Sequence, residues 1–165
     1  MSQIVEPARI ELNAVAPDLG KAIQAAYAPL LRAALDRKLI DLVFLRVSQI
    51  NGCAYCVDLH AHDLRKAGES ARRINALSAW HETRLFDAAE RAALTWAEAV
   101  TRIVETHAPD AVYQSLCEHF SERQIGELTY AIALMNMLNR TGIALRKALP
   151  EPEAAAWPGE QGLVA

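Results

Sequence analysis

The chain has 165 residues and a mass of 18.1 kDa, enough for one domain with a substantial core and too little for two. Hydrophobic residues at 52% and charged residues at 22% are ordinary globular usage and exclude a disordered or fibrous chain. A formal net charge of -3 gives no electrostatic footprint for nucleic acid or an anionic membrane, and no apolar run reaches the roughly 20 residues that a bilayer span needs.

Met1 to Glu11 mixes Glu6, Arg9 and Glu11 with apolar residues and lacks the basic-then-apolar order of a secretory signal, so the expected location is the cytoplasm. From there the apolar residues recur at helical spacing, punctuated by only 7 glycines and 7 prolines, and predict an all-α fold of about six to eight helices. The first helix is expected from Pro17 to Ala34, with Pro29 placed to kink or split it. A second starts near Asp36 and carries Leu39, Ile40, Val43, Phe44, Val47 and Ile50 to the stop signal Asn51-Gly52. Cys53 then begins a third, which runs through His60 to Lys66 and ends at Gly68, with Arg65 and Lys66 favoured by the dipole of its last turn. A short helix from Ser70 to Leu77 and a connector to Asp87 follow. Asp87 caps a helix predicted over residues 88–104, and Pro109-Asp110 opens another to Phe120. Ser121 and Gln124 form a capping-box pattern for a last long helix to Leu149, which Pro150 and Pro152 end. Residues 151–165 read as a loosely attached tail or crossing arm on a single domain whose core spans about residues 10 to 148.

Two of the 3 cysteines stand in one element, in Asn51-Gly52-Cys53-Ala54-Tyr55-Cys56-Val57-Asp58-Leu59-His60. On a helix, separations of three and four residues place both sulfurs and the imidazole on one face. A helix N-terminus favours the thiolate, the form that attacks peroxides and disulfides. His60 is placed as proton acceptor or relay and needs a carboxylate to orient it, for which Asp41, Asp58 and Asp63 are candidates. Asp63 shares the face of His60, Asp58 does not, and Asp41 lies on the preceding helix, in a mostly apolar segment that invites a functional explanation. The alternative for Asp41 is an ordinary exposed acid near a helix start. A CxxC in a reducing compartment is also a metal-site pattern, with His60 and then His62 or Asp63 as further ligands, but no second cysteine pair completes it. Cys117 reads as a core or interface cysteine, Trp80 and Trp96 as core, and Asn136, Asn139 and Arg140 as a structural polar network, or as groups that reach the loop before Cys53 or a subunit interface.

The run from Asp41 to Gly68, centred on Leu45-Arg46-Val47-Ser48-Gln49-Ile50-Asn51-Gly52-Cys53-Ala54-Tyr55-Cys56, resembles the alkylhydroperoxidase AhpD core of the carboxymuconolactone decarboxylase-like superfamily. Trp80, Ala97-Glu98-Ala99-Val100-Thr101 and Asn136-Met137-Leu138-Asn139-Arg140 support the likeness. The resemblance implies an AhpD-like helical bundle and a thiol-dependent peroxidase that reduces hydroperoxides by a dithiol/disulfide cycle. In that pattern Cys56 attacks peroxide, Cys53 resolves the sulfenic acid, and His60 with Asp41 forms the proton relay. Generic dithiol reasoning favours the first cysteine as nucleophile, so the roles within the pair stay open at this point. The family's relay acid is glutamate, and Asp41 is one methylene shorter, which points to a water bridge to His60 or to a slower proton transfer. Tyr55 replaces a histidine between the cysteines. No metal, flavin or haem is called for. An external dithiol, a lipoyl group or a thioredoxin-like protein, is the expected reductant. A homo-oligomer, trimer or hexamer, is the expected assembly. A carboxymuconolactone decarboxylase-type lyase, which needs no dithiol, and a non-enzymatic redox-sensing module are the alternatives.

Overall fold

The computed structural model describes residues 7–149, and the expected tail at 151–165 lies outside the described residues. Among the described residues the chain is helical throughout, with α1 at Leu12–Val15, α2 at Pro17–Tyr27, α3 at Arg37–Asn51 and α4 at Ala54–Lys66. Then come α5 at Ala71–Ala76, α6 at Ala88–Thr101, α7 at Ile103–Thr106, α8 at Asp110–Cys117 and α9 at Glu122–Ala144. Short 3-10 turns at Ala28–Arg32 and Leu77–Glu82 fill two of the connections. Leaving aside the four-residue α1 and α7, seven helices build the bundle.

Helix α3 is the axis of the fold. Every residue from Ile40 to Ser48 is buried, so this helix is enclosed on all sides by α4, α6 and α9. One flank meets a core of Phe44, Val47, Trp96, Leu128, Ile132 and Met135, the other a core of Leu42, Leu45, Leu64, Leu77, Trp80 and Leu94. A helix enclosed in this way must pair its polar side chains internally. Arg46 does so through Glu98 on α6, with Nη2 2.7 Å from Oε1, and the indole N–H of Trp80 donates to the same oxygen at 2.8 Å. Burial alone raises the Glu98 carboxyl, but the hydrogen bonds from Trp80 and Arg46 hold it below its ordinary value.

The boundaries follow local chemistry. Asp36, Ser70, Asp87 and Ser121 each accept a backbone N–H at a helix start, and Asp87 with Glu90 and Ser121 with Gln124 complete capping boxes. Several predicted helices are shorter than expected, among them α8, which ends at Cys117 rather than Phe120. Proline at position 29 has no N–H to give, and the first helix tightens into a 3-10 turn at Ala28. Arg102 leaves helical geometry and separates α6 from α7. Helix α9 stops at Ala144 because Arg146 takes φ +55° and the Lys147 N–H turns back to the Gly142 carbonyl. Cys117 is exposed at the end of α8, which rules out the core half of its core-or-interface reading.

Candidate active site

The turn between α3 and α4 sets the cysteines. Gly52 takes φ +74°, a left-handed conformation that closes α3 and that a side chain at this position would oppose. Cys53 thereby becomes the N-cap of α4, its sulfur accepting the backbone N–H of Cys56 at 3.4 Å. Cys53 and Cys56 are joined as a disulfide, with Cα atoms 5.3 Å apart. The two sulfurs differ in surroundings. Helix α9 covers Cys53, so closely that a β-carbon at Gly142 would lie 3.6 Å from its sulfur. Cys56 instead lines a cavity of about 100 Å³ walled by Tyr55, Leu59, Met135, Leu138 and the segment around Ile10. Arg9 closes the rim of that cavity by bonding its N–H to the Leu145 carbonyl and its guanidinium to that of Ala144. The Lys147 ammonium lies over the Tyr55 ring, 4.2 Å from its centroid, and burial lowers its pKa.

His60 stands one turn beyond Cys56 and is wholly buried, its ring 5.1 Å from that of Phe44. Neither ring nitrogen has a hydrogen-bond partner among the described groups. Burial, aided by the nearby Arg37 charge, pushes its pKa down to about 3, so the imidazole is neutral at physiological pH. Two carboxylates face it, and the ligand atoms of Asp41, His60 and Asp63 all lie within 4.8 Å of one another. Asp41 is 2% exposed, which settles against the exposed-acid alternative; its Oδ2 accepts from Arg37 Nε at 2.9 Å while Oδ1 is buried without a partner. Burial pushes its carboxyl up against the pull of Arg37. Asp63 Oδ2 lies 3.9 Å from His60 Nδ1 and its carboxyl is also raised, by burial and then by the Asp41 charge. These three donors match a divalent-ion ligand set in type, yet the Arg37 guanidinium already neutralises Asp41 and makes a second cation there costly.

Of the four residues picked out in the sequence, the structure joins Cys53 to Cys56 and sets Asp41 beside His60, and the two pairs are linked by the one helical turn from Cys56 to His60. Sequence reasoning missed Arg37 as the counter-ion of Asp41, although the i, i+4 spacing of the two was visible. It also missed the covering of Cys53 by α9, for which the chain carries no local signal. Asn136 and Asn139 form a structural network: Asn51 Nδ2 donates to both amide oxygens, at 3.0 and 2.9 Å, and Asn139 Nδ2 donates to Ser48 Oγ at 3.1 Å. This network fastens the end of α3, and with it the cysteine turn, to α9.

Residues 17–99 match the model of the carboxymuconolactone decarboxylase family. YdfG of Bacillus subtilis is 36% identical over 137 residues, covering 83% of this chain and 93% of its own. The crystal structure of ATU0492 from Agrobacterium tumefaciens, proposed as an antioxidant defence protein AhpD, superimposes with a TM-score of 0.86 at 39% identity, covering 88% of this chain and 99% of that one. Alkyl hydroperoxide reductase AhpD of Coxiella burnetii is 50% identical over 40 residues, 24% of this chain and 23% of its own.

Proposed function

The chain belongs to the carboxymuconolactone decarboxylase family, with AhpD-like structural relatives, and on that premise we propose that it is a thiol-dependent peroxidase acting on organic hydroperoxides. The observation that carries this reading is a dithiol at a helix N-terminus with Cys56 open to an apolar cavity and a buried neutral histidine one turn away. A neutral imidazole is the form that takes a proton, and the low polarity of the cavity suits the carbon side of an organic hydroperoxide.

In the proposed cycle His60 takes the proton of the Cys56 thiol, with Asp41 behind it through a bridging water at its unpartnered Oδ1. The thiolate sulfur bonds the terminal peroxide oxygen, the O–O bond breaks, and the alcohol leaves with a proton that comes back from solvent through His60. Cys53 then attacks the Cys56 sulfenic acid, forms the disulfide and releases water. An external dithiol, lipoyl or thioredoxin-like, gives two electrons and two protons to restore both thiols and becomes a disulfide itself. The openness of Cys56 and the covering of Cys53 support this order of roles over the reverse. The protein is proposed to work as a homo-oligomer, trimer or hexamer, in the cytoplasm.

The test counts free thiols before and after one equivalent of cumene hydroperoxide, in the wild type and in Cys53→Ser and Cys56→Ser. The wild type, first reduced, starts from 3 thiols and is expected to lose two. Cys53→Ser is expected to lose one by forming a stable sulfenic acid, and Cys56→Ser none at a comparable rate. An unchanged wild-type count overturns the peroxidase reading.

A further inference from the structure

The histidine of the proposed site is sealed from solvent, so a proton taken from Cys56 needs a way out, and the two carboxylates beside it are not equivalent. Asp41 is held by Arg37 at 2.9 Å, and the Arg37 guanidinium is itself near the Tyr27 hydroxyl at 3.4 Å. Its charge is compensated and its side chain is only 4% exposed. Asp63 has the opposite situation. Its Oδ2 is 3.9 Å from His60 Nδ1, and 18% of its side chain meets solvent while that of His60 is 0% exposed. Along α4 the order is Cys56, then His60 one turn on, then Asp63 nearly one turn further, so the three form a row from the cavity toward water.

We infer that Asp63 is the positioning carboxylate that holds the imidazolium formed on His60 and passes its proton to solvent, while Arg37 and Asp41 form a fixed ion pair behind it. The step is a proton transfer only: the Cys56 S–H bond breaks, an N–H bond forms on His60, and the proton leaves through the Asp63 carboxyl to water. The inference rests on the peroxidase reading for its purpose but not for its test. The charged and titratable groups around the row are Arg37 and Asp41 on α3, Tyr27 on α2, Tyr55, His62 and Lys66 on α4, and Glu11 and Lys147 at the cavity. Of this set, the Asp63 carboxylate lies 3.9 Å from the His60 ring and also reaches solvent. A raised carboxyl pKa at Asp63, from burial and the Asp41 charge, brings it nearer to the range in which it exchanges a proton readily.

The experiment measures the rate at which iodoacetamide alkylates Cys56 from about pH 5 to pH 10, in reduced protein carrying Cys53→Ser and Cys117→Ser. That reaction reports the thiolate alone and requires no peroxidase activity. Asp63→Asn is expected to move the rising limb of the rate up by about one pH unit, which is about tenfold slower alkylation on the acid side. Asp63→Glu is expected to return the limb to its wild-type position. A limb left in place by Asp63→Asn overturns the inference, and so does an equal shift in Asp63→Glu, since that marks a packing role. Loss of peroxide turnover with the predicted alkylation shift intact counts against the peroxidase reading and leaves Asp63 in its role.

Discussion

At His60 a stability argument and a catalytic one meet. The folded protein holds this imidazole neutral down to about pH 3, whereas in the unfolded chain it takes a proton near its ordinary pKa of 6.5. Between those values the unfolded state binds more protons, so the contribution is complete above pH 6.5 and is lost as the pH falls toward 3. Asp41 and Asp63, both raised, act with the opposite sign, because their folded forms take protons first and gain stability on acidification. His60→Gln removes only the histidine part. The wild type is therefore expected to exceed His60→Gln in thermal midpoint by less at pH 4.5 than at pH 7, and parallel curves would refute the linkage. The acid on the other helix is tested by its length. Asp41→Glu adds one methylene, bringing the unpartnered oxygen toward His60, and is expected to oxidise its thiols at pH 7 as fast as the wild type or faster. The same methylene overpacks a position 2% exposed, at a cost of about 1 to 3 kcal/mol in urea unfolding. A slower Asp41→Glu would show that the aspartate is already matched to its histidine.

At the level of elements, the hinge of the site is the joint between α3 and α4, and α9 keeps it in place. Asn139, wholly buried, gives one hydrogen bond to Ser48 and takes one from Asn51, directly before the Gly52 turn. Asn139→Ala takes one hydrogen bond from each partner, while Asn51 keeps its bond to Asn136 and Ser48 its bond to the Phe44 carbonyl, and is expected to lower the stability by about 1 to 3 kcal/mol, read from urea unfolding. A loss under about 0.5 kcal/mol would mean that water replaces the amide without cost. Much of this architecture was legible in the chain, because caps and stops act over four residues: Asp36, Asn51-Gly52, Gly68, Asp87 and Ser121 each mark a real boundary. The dithiol and His60 were legible for the same reason, since all three share one helix. Asp41 stood out as a carboxylate in a mostly apolar segment of the preceding helix, the family resemblance giving it the relay role, and its partner Arg37 was overlooked because an i, i+4 pair on a helix start reads as surface until the helix proves to be enclosed. What stayed hidden depends on distant contacts. The break at Arg102, the stop at Arg146 and the cover that Gly142 lays over Cys53 are set by how α6 and α9 pack.

Across the whole molecule, α9 has two working faces. Met135, Leu138, Thr141 and Gly142 look onto the cavity of Cys56, whereas Tyr130, Ala133, Leu134 and Met137 line a groove of about 760 Å³ against Pro29 and Leu30. The groove side leaves apolar surface in water: Tyr130 is 77% exposed, and Leu31 and Met137 are exposed close by in the chain order of the same two elements. Glu122, Arg123 and Glu127 also line the groove, but its exposed apolar side chains favour burial against another protein surface, and a second copy of the chain supplies a matching one by symmetry. The proposed homo-oligomer is therefore expected to use the groove side of α9. Sedimentation equilibrium should give a mass that is a multiple of 18.1 kDa for the wild type. Tyr130→Glu, a charge placed on the exposed side and away from the cavity, should lower that mass while leaving alkylation of Cys56 unchanged within about twofold. A wild type that sediments at the mass of one chain removes the oligomer. A Tyr130→Glu protein that keeps the wild-type mass moves the interface to another face, the exposed Leu19 and Val15 side being the next to examine.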